Sequence, residues 1–151
     1  MNSVDTGFHD IAEPEWLDRA ESFSQRVLSG FGVDNRDLSI LFCGDAFIQM
    51  LNREYRNRDE PTDVLSFEQG GEYTDESGQK RILAGDIVIS LEALSRNAEE
   101  FAVPYDDELK RLIVHGILHL SGYDHEDNDT TRPMLVLQEE IMSAHASSRI
   151  S

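Results

Sequence analysis

The 151-residue chain is short of cysteine, proline and positive charge. It has one cysteine, Cys43, and a single thiol cannot close an internal disulfide. The fold must therefore be held by its core, and a reducing cytoplasm is the expected compartment. Cys43 lies in an apolar stretch and reads as a plain core residue. Thirteen Lys and Arg stand against thirty Asp and Glu, for a formal net charge of −17. That balance argues against a broad nucleic-acid-binding surface, whose nonspecific affinity comes from neutralised phosphates. A local basic patch in a focused cleft stays open. No apolar run approaches the roughly 20 residues that a membrane span needs, so no membrane partner is expected. The first ten residues carry acids and lack the basic start of a secretory signal. Repeats, low-complexity tracts and linkers are absent. Hydrophobic residues make up 39% of the chain, which suits one domain over residues 1–151 with a core of its own.

The coarse pattern alternates helix and strand. Pro14 with Glu15 and Trp16 suits a helix first turn, and Trp16, Leu17, Ala20, Phe23, Val27 and Leu28 follow at helical spacing until Gly30 and Gly32. Residues 38–43 read as a strand. Asp45 is the expected cap of a helix over residues 46–55. Residues 64–67 read as a second strand, and residues 69–79, with three glycines, as a mobile loop or hairpin connection. Residues 82–89 form one or two strand segments interrupted by Gly85. Ser90 caps a helix that Pro104 closes near Val103. Asp106 and Asp107 open another helix that Gly122 stops. A last helix lies near residues 133–146, with Thr131 as its expected cap. Helices interleaved with strands imply an α/β layer around a small mixed sheet.

Three of the five histidines fall within eleven residues, as His115-Gly-Ile-Leu-His-Leu-Ser-Gly-Tyr-Asp-His125. His115 and His119 are four residues apart on a helix, a rotation of about 400°, so both rings lie on one face. Gly122 breaks the helix and lets His125 return as a third ligand. Neutral imidazoles suit Zn²⁺, with nickel, cobalt or copper as competitors. Three protein ligands leave a fourth position for water, the mark of a catalytic rather than a structural site. A hydrogen-bonded core role explains most single histidines on an apolar face; three at this spacing favour a metal.

The position after His115 decides what such a metal would serve. Zinc peptidases of the H-E-x-x-H kind carry a glutamate general base there; this chain has Gly116. The scaffold is zincin-like without the peptidase base. Either another residue activates the water, or the substrate is one whose chemistry needs less help; phosphodiesters fit the second case, because positioning and charge stabilisation dominate phosphoryl transfer. Arg53, Arg56 and Arg58 form the densest basic cluster and supply guanidinium groups suited to phosphate. Lys80, Arg81, Lys110 and Arg111 are candidates to extend it. Asp86 and Asp124 are candidates to orient a ligand imidazole.

These motifs are specific in combination. The histidine string, with Leu51-Asn-Arg-Glu-Tyr-Arg56, Pro61-Thr-Asp-Val-Leu-Ser-Phe67 and Gly85-Asp-Ile-Val-Ile89, resembles the YbeY family of bacterial endoribonucleases over residues 38–142. The resemblance implies a small mixed four-stranded sheet covered by about five helices, with the site in a cleft beside the sheet. It implies a cytoplasmic, single-strand-specific, metal-dependent endoribonuclease acting in 16S rRNA 3′-end maturation and ribosome quality control. Its partners would be single-stranded or ribosomal RNA and components of the small ribosomal subunit. His115, His119 and His125 would hold one Zn²⁺, and Arg56 would be the functional arginine. Two other readings compete. A noncatalytic ribosome assembly factor with a structural metal would explain the acidity through basic protein partners. A metallopeptidase-like hydrolase would explain the histidine spacing but not Gly116.

Overall fold

The computed structural model describes residues 1–123 and 133–151. In chain order its elements are β1 (Ser3–Phe8), α1 (Leu17–Gly30), β2 (Arg36–Cys43), α2 (Asp45–Arg56), β3 (Val64–Thr74), β4 (Lys80–Ser90), α3 (Leu91–Glu100), α4 (Tyr105–Leu120) and α5 (Pro133–Ala144). The architecture is α/β, with five helices around a mixed four-stranded sheet among the described residues. Strand order is β1-β2-β4-β3. β1 and β4 run parallel to β2, and β3 runs antiparallel to β4. No helix among the described residues is long and apolar enough to cross a membrane.

α4 is the helix around which the rest packs. Leu109, Ile113, Val114, Ile117 and Leu118 are buried, as are Ile40, Phe42, Ile87 and Ile89 on the sheet. Gly116 lets the helix sit close to β4: a Cβ there would stand 2.8 Å from Ile87 Cγ2. α4 begins with Asp106, Asp107 and Glu108, whose charge complements the N-terminal end of the helix dipole, and the chain leaves it through Gly122 at φ 95°. Asp106 also seats the chain's last residues. Its Oδ1 accepts from Ile150 N at 3.0 Å and from Ser151 N and Oγ at 2.6 and 2.8 Å. Burial works to raise this carboxyl, but those hydrogen bonds prevail and hold it below the ordinary carboxylate value. Buried Lys110 donates to His145 O and Ser148 O, which fastens the exit of α5 to the same helix.

Several expectations need correcting. Residues 3–8 gave no strand signal, because β1 is an edge strand with only Val4 fully in the core. The expected loop at 69–79 is mostly strand: β3 runs on to Thr74, and the reversal is confined to residues 75–79. There Asp75 Oδ1 accepts from Ser77 N, Ser77 Oγ and Gln79 N, a local arrangement that closes the turn. β4 is continuous through Gly85; the irregularity appears as register shifts against β2 and β3. α1 starts at Leu17, after Pro14 rather than with it, and α3 ends at Glu100, short of Val103. Gly44, not Asp45, is the N-cap of α2. Asp45 instead takes Arg96 Nη1 at 2.6 Å and Ser90 Oγ at 2.8 Å, tying α2 to α3. Ser90 does cap α3, accepting from Ala93 N at 3.2 Å. The expected cap Thr131 lies outside the described residues. Cys43 is fully buried, and desolvation followed by nearby Asp45 pushes its thiol up to about 12. It is an inert core group.

Candidate active site

The cleft beside β3 is built by three elements. α2 delivers Tyr55 and Arg56 from its last turn. Asn57 ends that helix in the left-handed conformation (φ 57°), and Asn52 Nδ2 holds the returning chain through Glu60 O at 2.9 Å. β3 follows directly and forms the floor with residues 64–68. α4 supplies His115 and His119, and the chain beyond it supplies Tyr123. Together they enclose a cleft of about 780 Å³.

The two imidazoles face each other. His115 Nε2 and His119 Nε2 are 3.1 Å apart, with ring centroids at 4.6 Å and planes at 72°. Two nitrogens on a tetrahedral zinc, each at about 2.0–2.1 Å, would be separated by about 3.3 Å. The pair therefore fits a shared ion with little adjustment. His115 is fixed from behind: its Nδ1 lies 2.8 Å from Gln138 Oε1 on α5. A carbonyl oxygen can only accept, so with Gln138 Oε1 as the partner the compatible tautomer of His115 has the proton on Nδ1 and the Nε2 lone pair toward His119. Sequence reasoning missed Gln138. It lies beyond the motif, and only the packing of α5 on α4 brings it to the ring.

His125, the third expected ligand, lies outside the described residues, as does Asp124. Among the described residues, no group of three or more His, Cys, Asp or Glu is placed to hold a metal. Asp86 is engaged on the sheet, accepting from Ser39 Oγ and from Gln69 Nε2 at 3.2 Å. Asp86 does not take the expected role of orienting a ligand imidazole; behind His115 the contact is Gln138.

Arg56 lies in the cleft with the histidines. Its Nη2 donates to Ser66 O at 2.8 Å, and its guanidinium carbon sits 5.7 Å from the Phe67 ring centroid. A guanidinium has five N–H donors, and this bond anchors the side chain while leaving most of the fork for a ligand. The rest of the anticipated basic patch does not assemble around it. Arg53 stands 3.7 Å from Asp59. Arg81 pairs with Asp37 at the far end of the hairpin, Lys110 is buried under the chain's last residues, and Arg111 pairs with Glu108 and Glu139. Arg56 is the one Lys or Arg among the described residues lining the cleft.

Fold and site together describe a small α/β domain with a helix-borne histidine pair and a guanidinium opening onto one cleft, the layout of a hydrolase for an anionic substrate. The profile of the family described as Endoribonuclease YbeY matches residues 3–146, and the chain belongs to that family. It is 55% identical over 151 residues to the Endoribonuclease YbeY of Treponema denticola, covering 99% of this chain and 97% of that protein. It is 48% identical to that of Treponema pallidum strain Nichols over 145 residues, covering 96% and 91%. A solution structure of a Thermotoga maritima protein aligns with TM-score 0.61 at 24% identity, over 97% of this chain and 93% of that one, and supports the fold. The chain is thus an endoribonuclease, a hydrolase of phosphodiester bonds whose substrate is RNA. That sets aside both the metallopeptidase reading and a purely noncatalytic role.

Proposed function

We propose that this endoribonuclease cuts single-stranded ribosomal RNA in the cleft between α2, β3 and α4, with one divalent ion, by donor chemistry Zn²⁺, held by His115, His119 and His125. The observation that carries the reading is the pair of Nε2 atoms 3.1 Å apart in the same cleft as Arg56. A place in 16S rRNA 3′-end maturation and ribosome quality control, with small-subunit components as partners, is supported by membership of the family. The chemistry supplied by such an ion when bound is polarisation of a phosphoryl oxygen and a lowered pKa for water. The chain's own residues do the rest. Gln138 fixes the tautomer of His115, and α4 holds both rings at the spacing a tetrahedral ion needs. Arg56, anchored on Ser66 O, grips the scissile phosphate and stabilises the negative charge that grows on its oxygens as the bond breaks.

Two measurements test this. Cleavage of a single-stranded RNA by the purified protein should fall to background in excess chelator and return when Zn²⁺ is restored; undiminished cleavage in chelator sinks the metal role. Replacing Gln138 with Leu should lower metal affinity by about 10- to 100-fold, read by competition with a chromogenic chelator. Gln138→Glu keeps an acceptor for Nδ1 and should hold the affinity near that of the unaltered protein. Equal affinity in the Leu variant would remove Gln138 from this role.

A further inference from the structure

A chain of net charge −17 offers RNA a cleft whose lining, among the described residues, holds one arginine and, at Glu68, an exposed carboxylate. Phosphate neutralisation cannot supply much affinity there. The same cleft is lined by two of the five exposed aromatic side chains among the described residues, Tyr55 at 65% and Tyr123 at 37% exposure. We infer that Tyr55 and Tyr123 are stacking platforms for unpaired nucleobases, and that stacking rather than phosphate contact supplies most of the grip on RNA.

Each tyrosine is propped by a half-buried phenylalanine in edge-to-face contact. Tyr55 meets Phe67 with centroids 5.5 Å apart at 70°, and Tyr123 meets Phe31 at 5.8 Å and 86°. Such contacts fix the ring without covering all of it, so little side-chain freedom remains to be lost when a base arrives. Phe67 also lies under Arg56, so one ring positions both a platform and the phosphate-binding group. The spacing of function along α2 follows: Tyr55 and Arg56 are adjacent in sequence, as a base and its phosphate are adjacent in a strand. A paired base has both faces covered by its neighbours in the duplex and cannot stack on a protein ring without leaving it. The two tyrosines thereby select single strands by a means that needs little positive charge. Stacking contributes about five- to a hundredfold in affinity per base and tolerates any base.

The inference rests on RNA occupying this cleft, and the test separates the two ideas. The probe is a fluorescein-labelled adenine oligomer with 2′-O-methyl sugars, checked intact after measurement, and binding is read by anisotropy across a salt series. Each phosphate contact on a single strand contributes a slope of about −0.7 in log affinity against log salt. With one arginine among the described lining residues, the slope should be shallower than about −2. Tyr55→Ala should weaken binding about five- to a hundredfold with unchanged circular dichroism, Tyr55→Phe should retain it, and an abasic oligomer of equal charge should bind about as weakly as the Ala variant binds the intact one. Tyr123→Ala should act in the same direction. If the abasic oligomer and Tyr55→Ala leave affinity unchanged while Arg56→Ala abolishes it, stacking is wrong and the cleft stands. If neither substitution affects binding, RNA lies elsewhere and both ideas fall.

Discussion

His119→Ala should leave a folded protein whose RNA cleavage rate is lower by on the order of a thousandfold or more. Losing a single electrostatic contact to a transition state costs about 10²–10³ in rate; losing a ligand removes the ion's whole contribution. The fold should survive because His119 is half-buried at the cleft end of α4, where alanine favours the helix. Its ring faces His115 across 3.1 Å rather than filling the core. The melting temperature should therefore stay within a few degrees of the unaltered protein, while metal retained after dialysis falls below one equivalent. Arg56→Lys makes a useful contrast. It keeps the charge but loses the two-pronged grip on phosphate, so cleavage should drop while metal content holds. A well-folded His119→Ala protein that cuts RNA at the full rate would dismiss the ion from the chemistry.

The legible parts of this molecule are those in which one stretch of chain carries the whole signal. α4 announces itself through the acids at its start, the apolar residues along it and Gly122 at its end, and the spacing of His115 and His119 fixes their shared face from helix geometry alone. The cluster of Arg53, Arg56 and Arg58 stands out because bases are scarce, and the family resemblance picks Arg56 from it. What stayed hidden depends on contacts between distant segments. β1 forms because β2 offers its edge, and a strand with only Val4 buried writes almost nothing into its own sequence. Gln138 reaches His115 across 23 positions, through helix packing that no local pattern encodes. Lys110 and Arg111 are candidates from sequence to extend the basic patch, yet the first is buried beneath the chain's last residues and the second is taken up by Glu108 and Glu139. Tyr55 and Tyr123 are far apart in the sequence and become neighbours of one cleft only in the fold. Acidity looked like an objection to RNA binding; it weakens phosphate contacts, and the proposed stacking draws its affinity from a different source.

Gly116→Glu, which would write the peptidase motif H-E-x-x-H into this chain, should strongly destabilise the protein rather than convert it. The structure gives the reason that this position cannot hold a base. A Cβ at Gly116 points into the sheet, 2.8, 2.9 and 3.0 Å from Cγ2, Cδ1 and Cγ1 of Ile87, a side chain with no solvent exposure. Three contacts below ordinary van der Waals distance require α4 or β4 to shift, at about 1–3 kcal/mol for an overpacked core. A carboxylate placed there adds several kcal/mol more unless it is neutralised or finds a partner. A total above about 4 kcal/mol is a large part of the 5–15 kcal/mol that holds a typical domain. At about 2–4 °C per kcal/mol for a chain of this size, the melting temperature should fall by more than about 10 °C. Gly116→Ala separates the two costs. It retains the crowding, gains about 1 kcal/mol of helix propensity and should be destabilised by no more than about 2 kcal/mol. A soluble Gly116→Glu protein that melts with the unaltered one would mean that α4 can turn this position toward the cleft. The close fit of helix and strand would then not be what keeps a glutamate base out of this site.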